Sequence, residues 1–414
     1  MKPSPYKRCA ASSREAGLLV LLALPCWAQS FSQRGFFETR FIGSPQTAPG
    51  DSGRAVAASL LRYEAFWKLS PQWRFSGGID VRADTHRQVE RDWGLSWQDR
   101  ELRRPAFEVR RLSAAYNRGP VTIELGKQFI RWGKADILNP TDRFAPRDFL
   151  EVVDNEFLAV TAGRLIVEKG SETLDLVWQP RFTPSRLPLF NQRWVVLPEV
   201  AVRDAGARFP GGSEYGARWN HLARGFEYSL SFFEGFNHLP LLDVRVQPFP
   251  VRVDLQRFYP KLRMYGADAA VPLRFLTVKA EAAYFTSNTP QADEYVLYVI
   301  QLERQAGEWF FVGGYAGQAV TASRHTLDFA PDRGLARAFL ARAGYTIDTN
   351  RSLALEAALR QNGKGLWTKF EYSHALGQHW RATAAFTVIR GSTDDFLGQY
   401  RRNSHASLTL RYSF

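Results

Sequence analysis

The chain ends with S-H-A-S-L-T-L-R-Y-S-F, residues 404–414, in which polar and apolar residues alternate. Counting back from the end, every second residue is apolar: Phe414, Tyr412, Leu410, Leu408 and Ala406. Because a β-strand points successive side chains to opposite faces, this stretch predicts a strand with one apolar and one polar face. A strand of about ten residues is long enough to cross a bilayer at a tilt, between lipid and water.

Two structures contain strands of this kind, a transmembrane barrel and the edge of a soluble β-sandwich. The terminal aromatic favours the barrel, because the segment resembles the last strand of bacterial outer-membrane β-barrels. In those proteins the barrel insertion machinery reads the last aromatic residue, which here is Phe414. The resemblance implies a location in the bacterial outer membrane, with membrane lipid and the insertion machinery as partners.

The opposite end of the chain predicts export. Several basic residues precede the short apolar run 17–24, and small residues follow it. This is the organisation of a secretory signal peptide, so we expect residues 1–28 to be removed. Both cysteines, Cys9 and Cys26, lie in this leader, so the mature chain would have neither disulfides nor thiol chemistry.

Length and hydropathy narrow the fold further. After the leader the sequence contains no second run of 18 apolar residues, which excludes helical membrane spans. An exported, aromatic-rich chain without such helices is either a soluble β protein or an outer-membrane barrel. Residues 29–414 are many for one soluble sandwich, but they suit a single barrel domain of about 16 to 18 strands.

The same alternation recurs along the chain and predicts an all-β, antiparallel transmembrane barrel. Short turns alternate with mostly longer connections, as periplasmic turns alternate with external loops in such barrels. A barrel of sixteen strands stays an alternative, because 213–219 and 260–269 alternate weakly. The eighteen predicted strands are 33–42, 55–68, 73–84, 105–116, 121–131, 157–167, 171–179, 213–219, 225–234, 260–269, 276–285, 294–302, 308–317, 337–347, 351–360, 366–373, 380–389 and 404–414.

Aromatic residues cluster near the ends of these strands, which predicts girdles at the two membrane interfaces. A soluble β protein would instead place its aromatics in the middle of its strands. The residues assigned to the girdles are Phe36, Phe37, Trp67, Trp73, Trp178, Trp219, Phe226, Tyr284, Trp309, Tyr345, Trp380 and Tyr412.

The connection 132–156 is the candidate site. A barrel of this width encloses an aqueous channel unless a loop narrows it. The core of this connection is stiffened by Pro140 and Pro146 and carries closely spaced charges of both signs. We predict that it folds inward and sets the size and charge of a pore; the alternative is a loop that only covers the rim. The predicted site residues are Arg131, Trp132, Lys134, Asp136, Asn139, Asp142, Arg143, Arg147 and Asp148.

This connection also resembles a motif of poorly characterised porin-like outer-membrane proteins. In that family a strand ending in G-R-Q-x-x-x-W-G runs into N-P-x-D and P-R-D, and Lys127 here replaces the usual Arg. Members are regarded as channels, and some as partners of inner-membrane export pumps, so the resemblance implies a channel without naming a solute. The matching residues are Gly126, Lys127, Gln128, Trp132, Gly133, Asn139, Pro140, Asp142, Pro146, Arg147 and Asp148.

On the polar faces of the strands, basic residues outnumber acidic ones. Rings of Arg and Lys favour anions in a pore, although such residues also form cross-strand pairs that stabilise the wall. The basic residues are dispersed at every second position of an exported chain, which excludes a nucleic-acid partner. The representative lumen-facing residues are Arg74, Arg82, Arg381 and Arg411.

We expect neither catalysis nor a cofactor nor a metal. His405 and Ser407 lie two residues apart, but the sequence offers no third group to orient them, and the seven histidines have no metal-ligand spacing. Three function classes stay open. They are a porin for passive passage of small solutes with a preference for anions, an export duct for a larger or amphiphilic molecule working with an inner-membrane pump, and a closed structural or adhesion barrel. A homo-oligomer is a further expectation.

Overall fold

The computed structural model describes residues 30–136, 138–196, 201–249, 251–324, 326–327 and 329–414. The predicted signal peptide, residues 1–28, lies outside these ranges. The described chain forms one closed antiparallel barrel in which each strand pairs with the next and the last pairs with the first. Its eighteen strands are β1 (Ser30–Gly43), β2 (Ala55–Lys68), β3 (Trp73–Asp84), β4 (Phe107–Arg118), β5 (Val121–Gln128), β6 (Val160–Lys169), β7 (Glu172–Gln179), β8 (Glu214–Ala223), β9 (Phe226–Phe236), β10 (Lys261–Pro272), β11 (Thr277–Thr286), β12 (Glu294–Ala306), β13 (Trp309–Ala322), β14 (Ala338–Thr346), β15 (Arg351–Arg360), β16 (Gly365–Leu376), β17 (Trp380–Gly391) and β18 (His405–Ser413).

The predicted strands are confirmed, and the alternative of sixteen strands is wrong. The two weakly alternating segments, 213–219 and 260–269, are β8 and β10. Closure runs through the decisive C-terminal segment, since β18 pairs with β1 from Phe36–Ser413 to Gly43–Ala406. Eight short turns lie at one end of the barrel, the turn end, and nine loops lie at the other, the loop end.

The barrel places apolar side chains on its outer face and charged side chains on its inner face, the reverse of a soluble protein. Large apolar side chains such as Phe37, Ile79 and Leu125 are exposed on the outer face. Carboxylates on the inner face, such as Asp80 and Glu281, are buried. Exposed apolar rows around the whole circumference indicate a surface made for hydrocarbon, because monomeric soluble proteins rarely expose such large apolar areas. No helix in the described ranges is long and apolar enough to span a membrane.

Outward aromatics form a band at the turn end. Trp73 packs against Tyr116 at 4.9 Å between ring centroids, and Trp309 against Tyr345 at 4.6 Å. Phe36 is an exception to the predicted girdle, because its neighbour Phe37 takes the outward position in the alternation. The Phe36 ring points into the lumen, where the guanidinium carbon of Arg411 lies 4.2 Å from its centroid.

The loop end carries most of the remaining regular structure. A separate three-stranded sheet consists of Val202–Arg208, Val251–Phe258 and Leu241–Pro248. Three short strands, one helical turn and one 3₁₀ helix lie in other loops: Leu95–Ser96, Arg147–Asp148, Glu156–Phe157, Pro331–Gly334 and Gly398–Asn403. None of these elements was predicted from the sequence.

Gly35 in β1 should be essential for closing the barrel. A Cβ at this position would lie 2.6 Å from ring atoms of Phe414 and 2.9 Å from the carbonyl oxygen of Arg62. We expect Gly35→Val to destabilise the closure by about 1–3 kcal/mol and to lower the yield of folded barrel. The measurement is the fraction of protein that migrates as folded barrel in unheated detergent gels. Gly43→Val in the same strand is the control, because a Cβ there meets nothing within 4 Å; equal yields from both variants would contradict the expectation.

Candidate functional site

Loop 129–159, which we call the inner loop, lies inside the barrel. Its backbone bonds side chains that point inward from the opposite wall. The amide nitrogens of Lys134, Ala135 and Thr141 donate to the Glu281 carboxylate in β11 at 3.0, 3.2 and 2.8 Å. The amide of Asp136 donates to Gln301 Oε1 in β12 at 3.0 Å.

An apolar contact holds the same loop against the wall. Trp132 and Phe144 pack edge to face with a centroid distance of 5.3 Å, and Phe144 contacts Phe233 of β9 at 5.1 Å. Both rings lie on Gly216 of β8, where a Cβ would come within 2.4 Å of Phe144 and 2.6 Å of Trp132. The missing side chain at Gly216 is what allows the loop to sit flush with the wall.

The back of the inner loop is tied to two neighbouring loops by a buried ionic network. Asp148 pairs with Arg186 at 2.8 Å and with Arg104 at 2.9 Å. Arg186 continues to Asp99 at 3.3 Å, and Asp99 pairs with Lys127 at 2.5 Å. Burial alone would raise the pKa of Asp148, but the guanidinium groups of Arg104 and Arg186 outweigh it and hold this pKa well below its usual range.

His238, in the loop after β9, adds a further contact to the inner loop. Its ring stacks on Phe182, and its two nitrogens lie 2.5 and 2.6 Å from the carbonyl oxygens of Arg143 and Thr183. Burial, with a smaller contribution from the Arg143 charge, lowers the pKa of His238 to about 4. Both nitrogens face acceptors, and a neutral ring donates through one of them at a time.

The inner loop leaves a cavity along the part of the wall that it does not cover. This cavity, which we call the passage, has a volume of about 460 Å³ and separates the loop from β14, β15 and β16. Its lining combines charged and apolar side chains. From the loop come Asp136, Asn139, Asp142, Arg143 and Arg147, and from the facing wall and the loops above it come Leu340, Arg342, Glu356, Trp367 and Phe396.

A second cavity of about 550 Å³ lies against β1 to β4, and its lining is basic. Four arginines and one glutamate surround it: Arg34, Arg62, Arg110, Arg111 and Glu64. Arg110 and Arg111 are consecutive, yet both face this cavity. They can do so because β4 has a bulge opposite Gly78 and Ile79, which interrupts the alternation of faces. The guanidinium groups of Arg110 and Arg111 both lie over the ring of Phe129, at 4.8 and 5.1 Å from its centroid.

The structure places five of the nine predicted site residues on the passage and the other four elsewhere. The five are Asp136, Asn139, Asp142, Arg143 and Arg147. Trp132 and Lys134 face the wall, where the indole Nε1 donates to Asp175 at 2.9 Å and the lysine Nζ pairs with Glu227 at 2.7 Å. Arg131 is half exposed beside the ring of Phe157. Asp148 lies in the buried network behind the loop.

The four representative basic residues of the wall are in different environments. Arg82 pairs with Asp80 at 2.7 Å, and Arg411 pairs with Glu38 at 2.5 Å. Arg381 donates to the hydroxyl of Ser373 at 3.1 Å and, like Arg74, is exposed. Part of the basic excess is therefore neutralised by cross-strand pairing.

The residues that match the porin-like motif shape the inner loop and hold it in place. Gly126 has a φ of +122°, and a Cβ there would lie 2.2 Å from the carbonyl oxygen of Leu112. Asp142 accepts from the amides of Trp132 and Gly133, both at 2.6 Å. These contacts give the motif a structural role, in shaping and holding the inner loop.

Four residues important for the site were missed by sequence reasoning. None of Glu281, Arg110, Arg186 and His238 was singled out as a site residue. The signal for Arg110 was the consecutive pair of arginines that interrupts the alternation of β4. Within the described ranges, no group of three or more His, Asp or Glu residues is arranged to hold a metal ion.

Solved structures with the same fold are outer-membrane proteins. The chain superposes on a BenF-like porin from Pseudomonas fluorescens Pf-5 with a TM-score of 0.56 and 9% identity, covering 94% of this chain and 99% of that one. For OpdK from Pseudomonas aeruginosa with vanillate the TM-score is 0.53 at 9% identity, with 94% and 99% covered. For Acinetobacter baumannii OccAB3 the values are 0.52 and 9%, with 93% and 99% covered. No protein-family model matches the sequence, and no curated protein is similar to it. The likeness over nearly the whole chain establishes the fold, a closed eighteen-stranded barrel of the porin type.

Proposed function

We propose that the protein is a bacterial outer-membrane channel through which small anionic solutes pass by diffusion. The observation that carries the proposal is the lined passage that remains between the inner loop and the uncovered wall. A barrel of eighteen strands is too wide for wall side chains alone to fill, so a loop in its lumen defines the pore. The outward apolar rows and the porin-type fold support the location.

The second cavity supports a preference for anions. Four arginines and one glutamate line it, and Asp80 and Glu156 beside it pair with Arg62 and Arg110. The arginines still outnumber these carboxylates, and basic side chains around a pore favour anions. The first cavity places apolar side chains beside charges of both signs, among them Arg143 and Arg147 with Asp136 and Asp142. A solute with an anionic group and an apolar body fits both linings, and vanillate, seen with OpdK, is a suitable probe.

Removing two charges from the basic wall tests this preference. In Arg110→Gln/Arg111→Gln we expect the anion-to-cation permeability ratio to fall about threefold, because each charge contributes a screened attraction for anions. The measurement is the reversal potential of the purified protein in a planar bilayer under a salt gradient. Vanillate flux into liposomes should fall in parallel.

A matched variant separates pore charge from total charge. Arg263→Gln/Arg304→Gln removes two positive charges from positions on the outer face, where both side chains are exposed. This variant should keep the wild-type reversal potential. A cation-selective wild type would contradict the anionic preference, and a wild type without conductance would favour the closed structural or adhesion barrel.

The export duct is the second alternative. A duct that works with an inner-membrane pump needs a surface for that partner on the periplasmic side. The turns there are only a few residues long, as between β4 and β5 or between β12 and β13. This short turn end favours the diffusion channel. Reading of Phe414 by the insertion machinery and assembly into a homo-oligomer stay predictions.

A further inference from the structure

One buried carboxylate makes an unusual number of contacts with the inner loop. Glu281 lies in the middle of β11, points inward and is 2% exposed. Its Oε2 accepts from the amides of Lys134 and Ala135, and its Oε1 accepts from the amide and the hydroxyl of Thr141. Four donors from one eight-residue stretch of the loop therefore converge on a single side chain.

These contacts close a turn of the loop. Lys134 and Ala135 lie at the start of the turn and Thr141 at its end, so the carboxylate fixes both ends at once. Buried amides require acceptors, and an ionised carboxylate is a strong one. Between the two anchored ends lie Asp136 and Asn139, which face the passage.

The surrounding wall leaves room for this arrangement. A Cβ on Gly133 would lie 2.7 Å from Asn139 Cβ and 3.1 Å from Glu281 Oε1. A Cβ on Gly266 of β10 would lie 2.7 Å from Thr141 Cγ2. The turn thus approaches the wall closely at two glycines, one in the loop and one in the barrel.

We propose that Glu281 is the positioning residue of the constriction, and that it sets the width and steadiness of the pore by holding Lys134, Ala135 and Thr141 against the wall. The inference rests on the proposed channel function. It adds that one wall residue, which itself does not line the passage, controls the position of residues that do.

Glu281→Gln is the direct test, because it keeps the shape of the side chain. The amide retains one acceptor oxygen but presents an NH₂ group to donors, which leaves two loop amides facing a donor. We expect the single-channel conductance to rise about twofold, with larger open-channel current noise, as the turn leaves the wall and frees lumen. The measurement is single-channel recording in planar bilayers.

Two further variants keep the test decisive. Thr141→Val removes the hydroxyl donor and leaves the carboxylate in place, so it should raise conductance and noise in the same direction by a smaller factor. Glu371→Gln is the matched control, an inward carboxylate of β16 that pairs with Lys369 at 3.7 Å. It changes the lumen charge by the same amount and should leave conductance and noise near the wild-type values.

A reversible cross-link distinguishes positioning from charge. A Cβ on Gly266 lies 2.7 Å from Thr141 Cγ2, which places the two positions close enough to test for a disulfide, whose Cβ atoms lie about 3.8 Å apart. Adding Gly266→Cys and Thr141→Cys to Glu281→Gln should restore the conductance when oxidised and lose it again on reduction. The chain's own cysteines, Cys9 and Cys26, lie in the predicted leader.

The outcomes separate the two proposals. A wild type without conductance overturns the channel itself. A conducting wild type whose conductance and noise are unchanged by Glu281→Gln and Thr141→Val overturns only the role of Glu281. An effect of Glu281→Gln equal to that of Glu371→Gln, or one that the oxidised cross-link does not reverse, also overturns it.

Discussion

Deletion of residues 136–148 should raise the single-channel conductance several-fold. This segment contains the five predicted site residues that line the passage, and it fills lumen that an eighteen-stranded wall leaves open. Joining residues 135 and 149 through a short Gly-Ser linker preserves the entry to β6. The measurement is conductance in planar bilayers, with selectivity from the reversal potential of the same channels.

A second deletion of thirteen residues is the control. Residues 243–255 belong to the separate three-stranded sheet at the loop end, which is hydrogen-bonded apart from the barrel. Their removal should leave the conductance within a factor of about two of the wild type. If both deletions have the same effect, the inner loop is not the constriction. Unchanged conductance after removal of 136–148 would lead to the same conclusion.

The strands could be predicted because the barrel imposes one simple pattern. Every strand separates hydrocarbon from water, so the alternation with period two persists through the chain. β2, β3 and β15 match the predicted ranges 55–68, 73–84 and 351–360 residue for residue. The C-terminal rhythm also predicted which residues of β18 face outward, such as Leu408 and Leu410, which are exposed.

The contacts of the inner loop could not be predicted in the same way. Alternation shows that Glu281 points inward, but it contains no information about which loop occupies the lumen opposite it. Thr141 and Glu281 are separated by 140 residues, and only the closed barrel brings them together. The charge-rich stretch 132–156 indicated an inward loop through its stiffness and size, while the identity of its anchors depended on tertiary structure.

The external sheet was missed for a different reason. The sequence V-R-V-Q-P-F-P-V-R-V, residues 244–253, alternates as clearly as several barrel strands. Its prolines and its position inside a long connection favoured a loop. The structure resolves this as a hairpin, Leu241–Pro248 with Val251–Phe258, in which Pro248 is the last residue of the first strand. Alternation is therefore present in this external hairpin as well, so it could not distinguish a barrel strand from a strand outside the barrel.

Replacing Arg186 with alanine should release the inner loop from its neighbours. Arg186 links Asp148 with Asp99, and the side chains of Arg186 and Asp148 are 1% and 4% exposed. Removing the sole partner of a buried charge costs about 3–5 kcal/mol. Here Asp148 keeps Arg104 and Asp99 keeps Lys127, so we expect a loss near or below the lower end of that range. We expect this loss in the free energy of opening of the three loops, measured by hydrogen exchange of amides in 95–104, 147–150 and 183–188.

Arg103→Ala is the matched control, because Arg103 belongs to one of the same loops but is partly exposed. Its guanidinium lies 3.5 Å from Glu90, with side-chain exposures of 39% and 33%. An exposed pair of this kind contributes about 0–1 kcal/mol, so exchange should change little. If Arg186→Ala and Arg103→Ala have equal effects, the buried network does not hold the loops together.

The pH dependence of loop opening provides an independent test of the same network. The ordinary pKa of an aspartate is about 3.9, and in the folded protein that of Asp148 lies well below it. A carboxylate whose pKa is lowered by folding stabilises the folded state fully when the pH is above its ordinary pKa. This stabilisation is lost as the pH falls below the ordinary pKa and through the lowered pKa of the folded state. Loop protection in the wild type should therefore stay constant from pH 8 to about pH 5. In that pH range a paired Asp148 is still ionised. A loss of loop protection between pH 8 and about pH 5 would therefore contradict the role of Asp148 as the centre of the network.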